Sequence, residues 1–118
     1  MTTKQVADRL IELCRQGKIF ETQEELYADD CISLESDGPM KEAKGKQAIE
    51  EKGKMFQSMV VEFHGAEISD PIIADDHFAI SWMMDVTMKD KGRMKMQEIC
   101  VYKVKDGKII SEQFFFSM

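Results

Sequence analysis

The chain is short of the residues that would build a disulfide frame, a metal centre or a membrane anchor. Its three cysteines, Cys14, Cys31 and Cys100, are odd in number, widely spaced and without a C-x-x-C pair. That pattern argues against a disulfide scaffold or zinc site and suits buried free thiols in a reducing cytoplasm. Two histidines, His64 and His77, are too few for a histidine-based metal cluster, and no cofactor is expected. The Asp75-Asp76 pair lacks further ligands at cation-binding spacing, so it reads as a solvated turn. No apolar run approaches the roughly 18 residues a bilayer span needs. The opening Met1 to Asp8 lacks the apolar segment of a secretory signal. Basic residues are outnumbered, 16 Lys and Arg against 22 Asp and Glu, for a net charge of −6. Such a surface repels phosphate backbones and anionic lipid, so neither a nucleic acid nor a membrane is expected as partner.

What is present is ordinary globular material. With 43% hydrophobic and 32% charged residues over 118 positions, the chain can bury one core and not two. A single domain over residues 1–118 follows. Ten methionines are an unusual number. Their flexible thioether chains fill irregular apolar space, in a core or in an adaptable ligand pocket.

Periodicity changes along the chain. Val6, Leu10, Leu13 and Cys14 recur at helical spacing opposite Asp8, Arg9, Glu12 and Arg15, giving a first helix that stops near Gly17. Thr22 with Glu25 reads as a capping box opening a second helix that ends near Asp29. Cys31 to Ser36 reads as strand and Ser36 to Lys44 as loop. A third helix follows Gly45, with Ala48, Ile49, Met55 and Phe56 on one face. Gly53 within it costs about 1 kcal/mol relative to alanine, which points to close packing against a neighbour. From Met59 onward the pattern is strand, with no helix expected past Gln57: Val60–Ser69, Ile72–Ala74, His77–Met88, Arg93–Val104 and Ile109–Ser117. The Asp106-Gly107 dipeptide between the last two is a strong hairpin signal. Helices followed by a meander give an α+β fold, a strongly bent, mostly antiparallel six-stranded sheet around three N-terminal helices.

Several segments taken together resemble a known family. Tyr27-Ala28-Asp29-Asp30, the strand from Cys31 to Glu35 and Gly45-Lys46-Gln47-Ala48-Ile49 resemble the SnoaL-like branch of the nuclear transport factor 2-like superfamily. So does the ending, Val101 to Ile110 followed by Glu112 and Phe114-Phe115-Phe116. The resemblance implies a cystatin-like α+β cone with an internal pocket, homodimerising through its outer sheet face. It also places Glu35 where the ketosteroid isomerases of the superfamily carry their catalytic base. Their two oxyanion donors are absent, since Leu10 and Cys100 stand at those positions, so isomerisation by that mechanism is not expected. The Asp/His arrangement of SnoaL-type cyclases finds no support in His64 and His77.

Strand alternation nominates the residues that meet inside. One face of the penultimate strand carries Met96, Glu98, Cys100, Tyr102 and Val104. One face of the last carries Ile110, Glu112, Phe114 and Phe116, and the long central strand presents Phe78, Ile80, Trp82, Met84 and Val86. The candidate ligand-binding set is Trp82, Glu98, Cys100, Tyr102, Glu112, Phe114 and Phe116, with Glu35 as candidate catalytic residue. Carboxylates crowded among aromatics hold their protons to higher pH and can act as acids or bases. The plainer alternative is that Glu98 and Glu112 only pair with cations or Tyr102, and that Trp82 and the phenylalanines are core or interface. Met83, Ile99, Val101 and Phe115 have the parity of the opposite face, where a second chain would cover them.

Three functions fit this reading. The first is a pocket protein binding an apolar or aromatic ligand with one polar group. The second is an enzyme moving a proton next to a carbonyl, with Glu35 as base and Tyr102 or protonated Glu98 as donor. The third is a dimerisation module with a vestigial pocket.

Overall fold

The structure is a computed structural model describing residues 1–37 and 41–117. Helix α1 spans Thr3–Arg15 and begins with a capping box the sequence reading did not find. The Gln5 backbone N–H donates to the Thr2 hydroxyl, and the Thr2 N–H donates to the Gln5 side chain. Its buried stripe is Val6, Ala7, Leu10, Ile11, Leu13 and Cys14, and the chain leaves it at Gly17, whose φ of +76° suits glycine.

Helix α2 spans Ile19–Leu26, so it starts and ends about one turn earlier than Thr22 and Asp29 suggested. Thr22 is not its cap: the hydroxyl donates back to the Lys18 carbonyl at 2.6 Å, a bond made inside the helix. The chain turns extended at Tyr27, which buries its ring, and Tyr27–Glu35 forms strand β1. The Tyr-Ala-Asp-Asp run therefore lies in a strand rather than at a helix end.

Of the expected Ser36 to Lys44 loop, Gly38, Pro39 and Met40 lie outside the described residues. Its last part is a short strand, β2 (Glu42–Lys44), paired antiparallel to β1 with Ala43 opposite Ser33. Helix α3 runs Lys46–Met59, two residues beyond the expected limit. Its inward stripe is Ile49, Lys52, Gly53 and Phe56, while Met55 is 53% exposed. Met55 lies about 120° around the helix from Ile49, too far to share that face. A Cβ on Gly53 would stand 3.1 Å from the Phe20 ring, so this glycine does mark a close approach, of α3 to α2.

The remaining strands are β3 (Val60–Ile68), β4 (Ile72–Ala74), β5 (His77–Met88), β6 (Gly92–Lys105) and β7 (Lys108–Phe115). They join one seven-stranded sheet in the order β2-β1-β7-β6-β5-β3, with β4 alongside β5. The sheet is antiparallel except between β1 and β7, which run parallel. A mostly antiparallel sheet was expected, and it has seven strands rather than six because β2 forms within the expected Ser36 to Lys44 loop; the helices before β1 let it arrive beside the last strand in the same direction. The Asp106-Gly107 turn has positive φ at both residues, as its hairpin requires. A bulge follows at Lys103/Val104, where Val104 pairs with Ile109 and Lys103 with Ser111. The skipped residue shifts the parity of β7, so Ile109 is fully buried in the place expected for Ile110. Among the described residues no helix is long and apolar enough to cross a membrane.

Candidate functional site

The sheet register arranges the inward side chains in transverse rows. The innermost contains Ser33, Glu112, Tyr102 and Phe78, each directly opposite the next on β1, β7, β6 and β5. The next contains Glu35, Phe114, Cys100 and Ile80 in the same way. The third contains Glu98, Trp82 and Ile68 on β6, β5 and β3. The whole first row is buried, and so are Cys100, Ile80 and Ile68 in the other two, whereas Glu35, Phe114, Glu98 and Trp82 are half-buried.

At the bottom, Glu112 is 3% exposed. The Tyr27 phenol donates to Glu112 Oε2, and the Ser33 hydroxyl is a second hydrogen-bonding neighbour. Burial pushes the Glu112 carboxyl above the usual range, while the two hydroxyls and the Lys52 ammonium pull it back. Tyr102 stacks on Phe78 with ring centroids 4.7 Å apart and meets Phe114 edge-on at 6.5 Å, so its ring lies beneath Phe114.

Above this floor sits a cation. Lys52, from the inward stripe of α3, places its Nζ 2.6 Å from Ser33 Oγ and 2.9 Å from Glu35 Oε2. It also lies 5.4 Å above the Phe114 ring. The pair is largely shielded, with 15% of the Lys52 side chain and 23% of the Glu35 side chain exposed.

Glu98 completes the cluster. Burial raises its carboxyl to about 7, the nearby Glu35 and Glu112 push the same way, and a thiol hydrogen bond from Cys100 at 3.7 Å opposes them. Near neutral pH this group therefore exchanges between a donor, neutral form and an acceptor, charged form. The three cysteines are buried, and burial pushes their thiols up, Cys14 to about 11, Cys31 to about 12 and Cys100 further still. They are poor nucleophiles. Among the described residues no three His, Cys, Asp or Glu side chains converge as a metal site.

The SnoaL-like domain model matches residues 1–116. The chain belongs to this SnoaL-like family. Its fold superposes on a candidate SnoaL-like polyketide cyclase [carbohydrate phosphatase] of Mesorhizobium loti with a TM-score of 0.93 and 37% identity, over 98% of this chain and all of that one. A Xanthomonas campestris protein of unknown function with a cystatin-like fold gives 0.83 at 19% identity, over 100% and 92% of the two chains. A candidate isomerase of Bacillus subtilis gives 0.74 at 16% identity, over 99% and 90%. These two likenesses carry the fold alone. No curated protein matches the chain.

In this SnoaL-like domain the residues nominated from sequence largely come together. Glu35, Glu98, Glu112, Cys100, Phe114 and Trp82 occupy adjacent places on the inward face, and Tyr102 lies under them. Phe116 lies past the end of β7, where its backbone N–H and carbonyl are both tied to the Ser36 hydroxyl. Sequence reasoning missed Lys52, Tyr27 and Ser33. The signal for Lys52 was available, a lysine three residues after Ile49 and four before Phe56 on the apolar stripe of a helix. The surface of the described residues also carries grooves. One, of about 480 Å³, runs between α1 and Asp70-Pro71. Another, of about 670 Å³, crosses the outer sheet face over Ser81, Met83, Lys95, Gln97, Ile99 and Phe115, and touches Trp82 and Glu98.

Proposed function

We propose that this SnoaL-like domain is a small-molecule binding protein, a cytoplasmic homodimer whose site lies between α3 and the sheet. Its ligand is apolar or aromatic and carries one polar group, which meets Glu98. The observation that carries this reading is the position of Glu98. It is half-buried beside Trp82, near Phe114, and raised to about 7 while Lys52 is already engaged by Glu35 and Ser33. A carboxyl so placed offers a ligand oxygen a hydrogen bond that water competes for poorly. Binding of 2-acetylnaphthalene by calorimetry at pH 6 and pH 8 tests it. Tighter binding at pH 6 that disappears in Glu98→Asp is expected; no binding at either pH would sink the reading.

The second reading, proton transfer next to a carbonyl, draws on the same group. A carboxyl titrating near 7 is matched to acid–base work at neutral pH. The geometry favours Glu98 over Glu35 for that role, because Glu35 is held in an ion pair with Lys52. Tyr102 is 2% exposed beneath Phe114, a poor position from which to meet a ligand. Hydrogen–deuterium exchange at the methyl group of 2-acetylnaphthalene, followed by proton NMR, separates the readings: an enzyme accelerates it and a binder does not.

A further inference from the structure

Trp82 is the chain's one tryptophan, and its indole Nε1 is buried with no hydrogen-bond partner. Buried donors are nearly always satisfied, and an indole N–H can only donate. Two buried side-chain atoms lack a partner among the described residues, Gln23 Oε1 and this indole nitrogen, and of the two only the indole is a donor on the inward sheet face. Trp82 stands directly across from Glu98 on the inward face, next to the row that holds Phe114 and Cys100. It is packed against the core, so the ring is held rather than free to swing its N–H into bulk water.

We propose that the Trp82 indole N–H is a ligand-binding donor, which with Glu98 forms a two-point station for an acceptor oxygen such as a neutral carbonyl. This rests on the binding site put forward above and narrows it. Glu98 alone, able to donate or accept, does not distinguish a carbonyl from a hydroxyl or an amine. A fixed donor beside it does. An ammonium or amide N–H directed at Trp82 would face a second donor, whereas a carbonyl oxygen has lone pairs for both groups. A carboxylate is disfavoured as well, since Glu35 and Glu112 add negative charge near Glu98 and the Lys52 ammonium is already paired with Glu35. Ligand specificity then lies in a residue whose bulk would otherwise read only as a wall of the core.

The test compares 2-acetylnaphthalene with 2-isopropenylnaphthalene, which has nearly the same shape but carries a methylene in place of the oxygen. A single tryptophan gives one indole ¹H–¹⁵N resonance, so no assignment is needed. The ketone should move that resonance further downfield than the alkene does, because the two share the same ring currents and only the ketone accepts a hydrogen bond. Trp82→Phe should weaken the ketone about three- to tenfold, the loss of one neutral hydrogen bond, and leave the alkene unchanged. Equal effects on the two compounds, or an indole resonance shifted equally by both, would reduce Trp82 to a wall and overturn the inference. If both compounds bind and only Glu98→Asp weakens the ketone, the site stands and the Trp82 role falls. If neither compound binds the wild-type protein, the site itself is refuted, and this inference with it. The resonance is read on wild-type protein, so the inference remains testable should Trp82→Phe fold poorly.

Discussion

The Lys52 ammonium on α3 lies 2.9 Å from the Glu35 carboxylate on β1, with most of both side chains shielded from water. This pair links the third helix to the sheet beside the candidate site. It also engages the cation among three inward carboxylates, Glu35, Glu98 and Glu112. Removing one partner from a shielded pair leaves the other charged and uncompensated. Lys52→Met should therefore cost about 1–3 kcal/mol at neutral pH, read by urea denaturation. Adding Glu35→Gln should restore part of it, because the stranded charge is gone. Equal stability of wild type and Lys52→Met would show that the pair contributes nothing.

Glu98 gives the fold a pH dependence of definite sign. Its carboxyl, raised to about 7, holds a proton more tightly in the folded chain than in the unfolded one, where it is near the ordinary 4.5. Its contribution is complete below that ordinary value and is lost as pH rises toward 7. Glu98→Gln should match wild type near pH 4 and exceed it by roughly 3 kcal/mol at pH 8, since each tenfold difference in proton affinity between the folded and unfolded chain is worth about 1.4 kcal/mol. Denaturation curves at the two values decide it. A variant no more stable than wild type at pH 8 would mean that Glu98 is solvated.

Glu112 should behave as a structural acid, because it lies at the bottom of the cluster with the Tyr27 phenol donating to it. Tyr27→Phe removes that donor without opening a large cavity. The expected loss is about 1–3 kcal/mol, with the Glu112 carboxyl displaced still further upward. Carbon-detected NMR titration of the carboxyl, with thermal denaturation, would show both; an unchanged titration would break the link.

The outer face predicts association. Ile99 and Phe115 are cross-strand neighbours there, 53% and 49% exposed. Apolar groups so paired on an uncovered sheet face are commonly buried by a second chain. Sedimentation at tens of micromolar should give a dimer, and Phe115→Glu should give a folded monomer. A wild-type monomer at that concentration would refute the homodimer.

Period and turn chemistry were legible along much of the chain. Alternation placed Glu98, Cys100, Tyr102, Glu112 and Phe114 on the inward face, and Asp106-Gly107 located the closing hairpin, because both signals are local. Gly53 announced a close helix contact for the same reason, its intrinsic cost within a helix. The helix α2 boundaries were not legible. Thr22 can cap a helix or bond back within one, and the same residue serves both, here bonding back to Lys18.

What the sequence by itself determined is the α+β class, the family and the faces of the long strands, since each follows from residues near one another in the chain. What only the tertiary structure decided is who meets whom across the fold. The parallel β1–β7 pairing brings Ser33 opposite Glu112 and Glu35 opposite Phe114, contacts between residues about 80 positions apart. The bulge at Lys103/Val104 exchanges Ile110 for Ile109, a one-residue shift that alternation alone cannot place. Lys52 joins the carboxylates because α3 lays its inward stripe over β1, and a charge on that stripe finds its partner only when two distant elements pack.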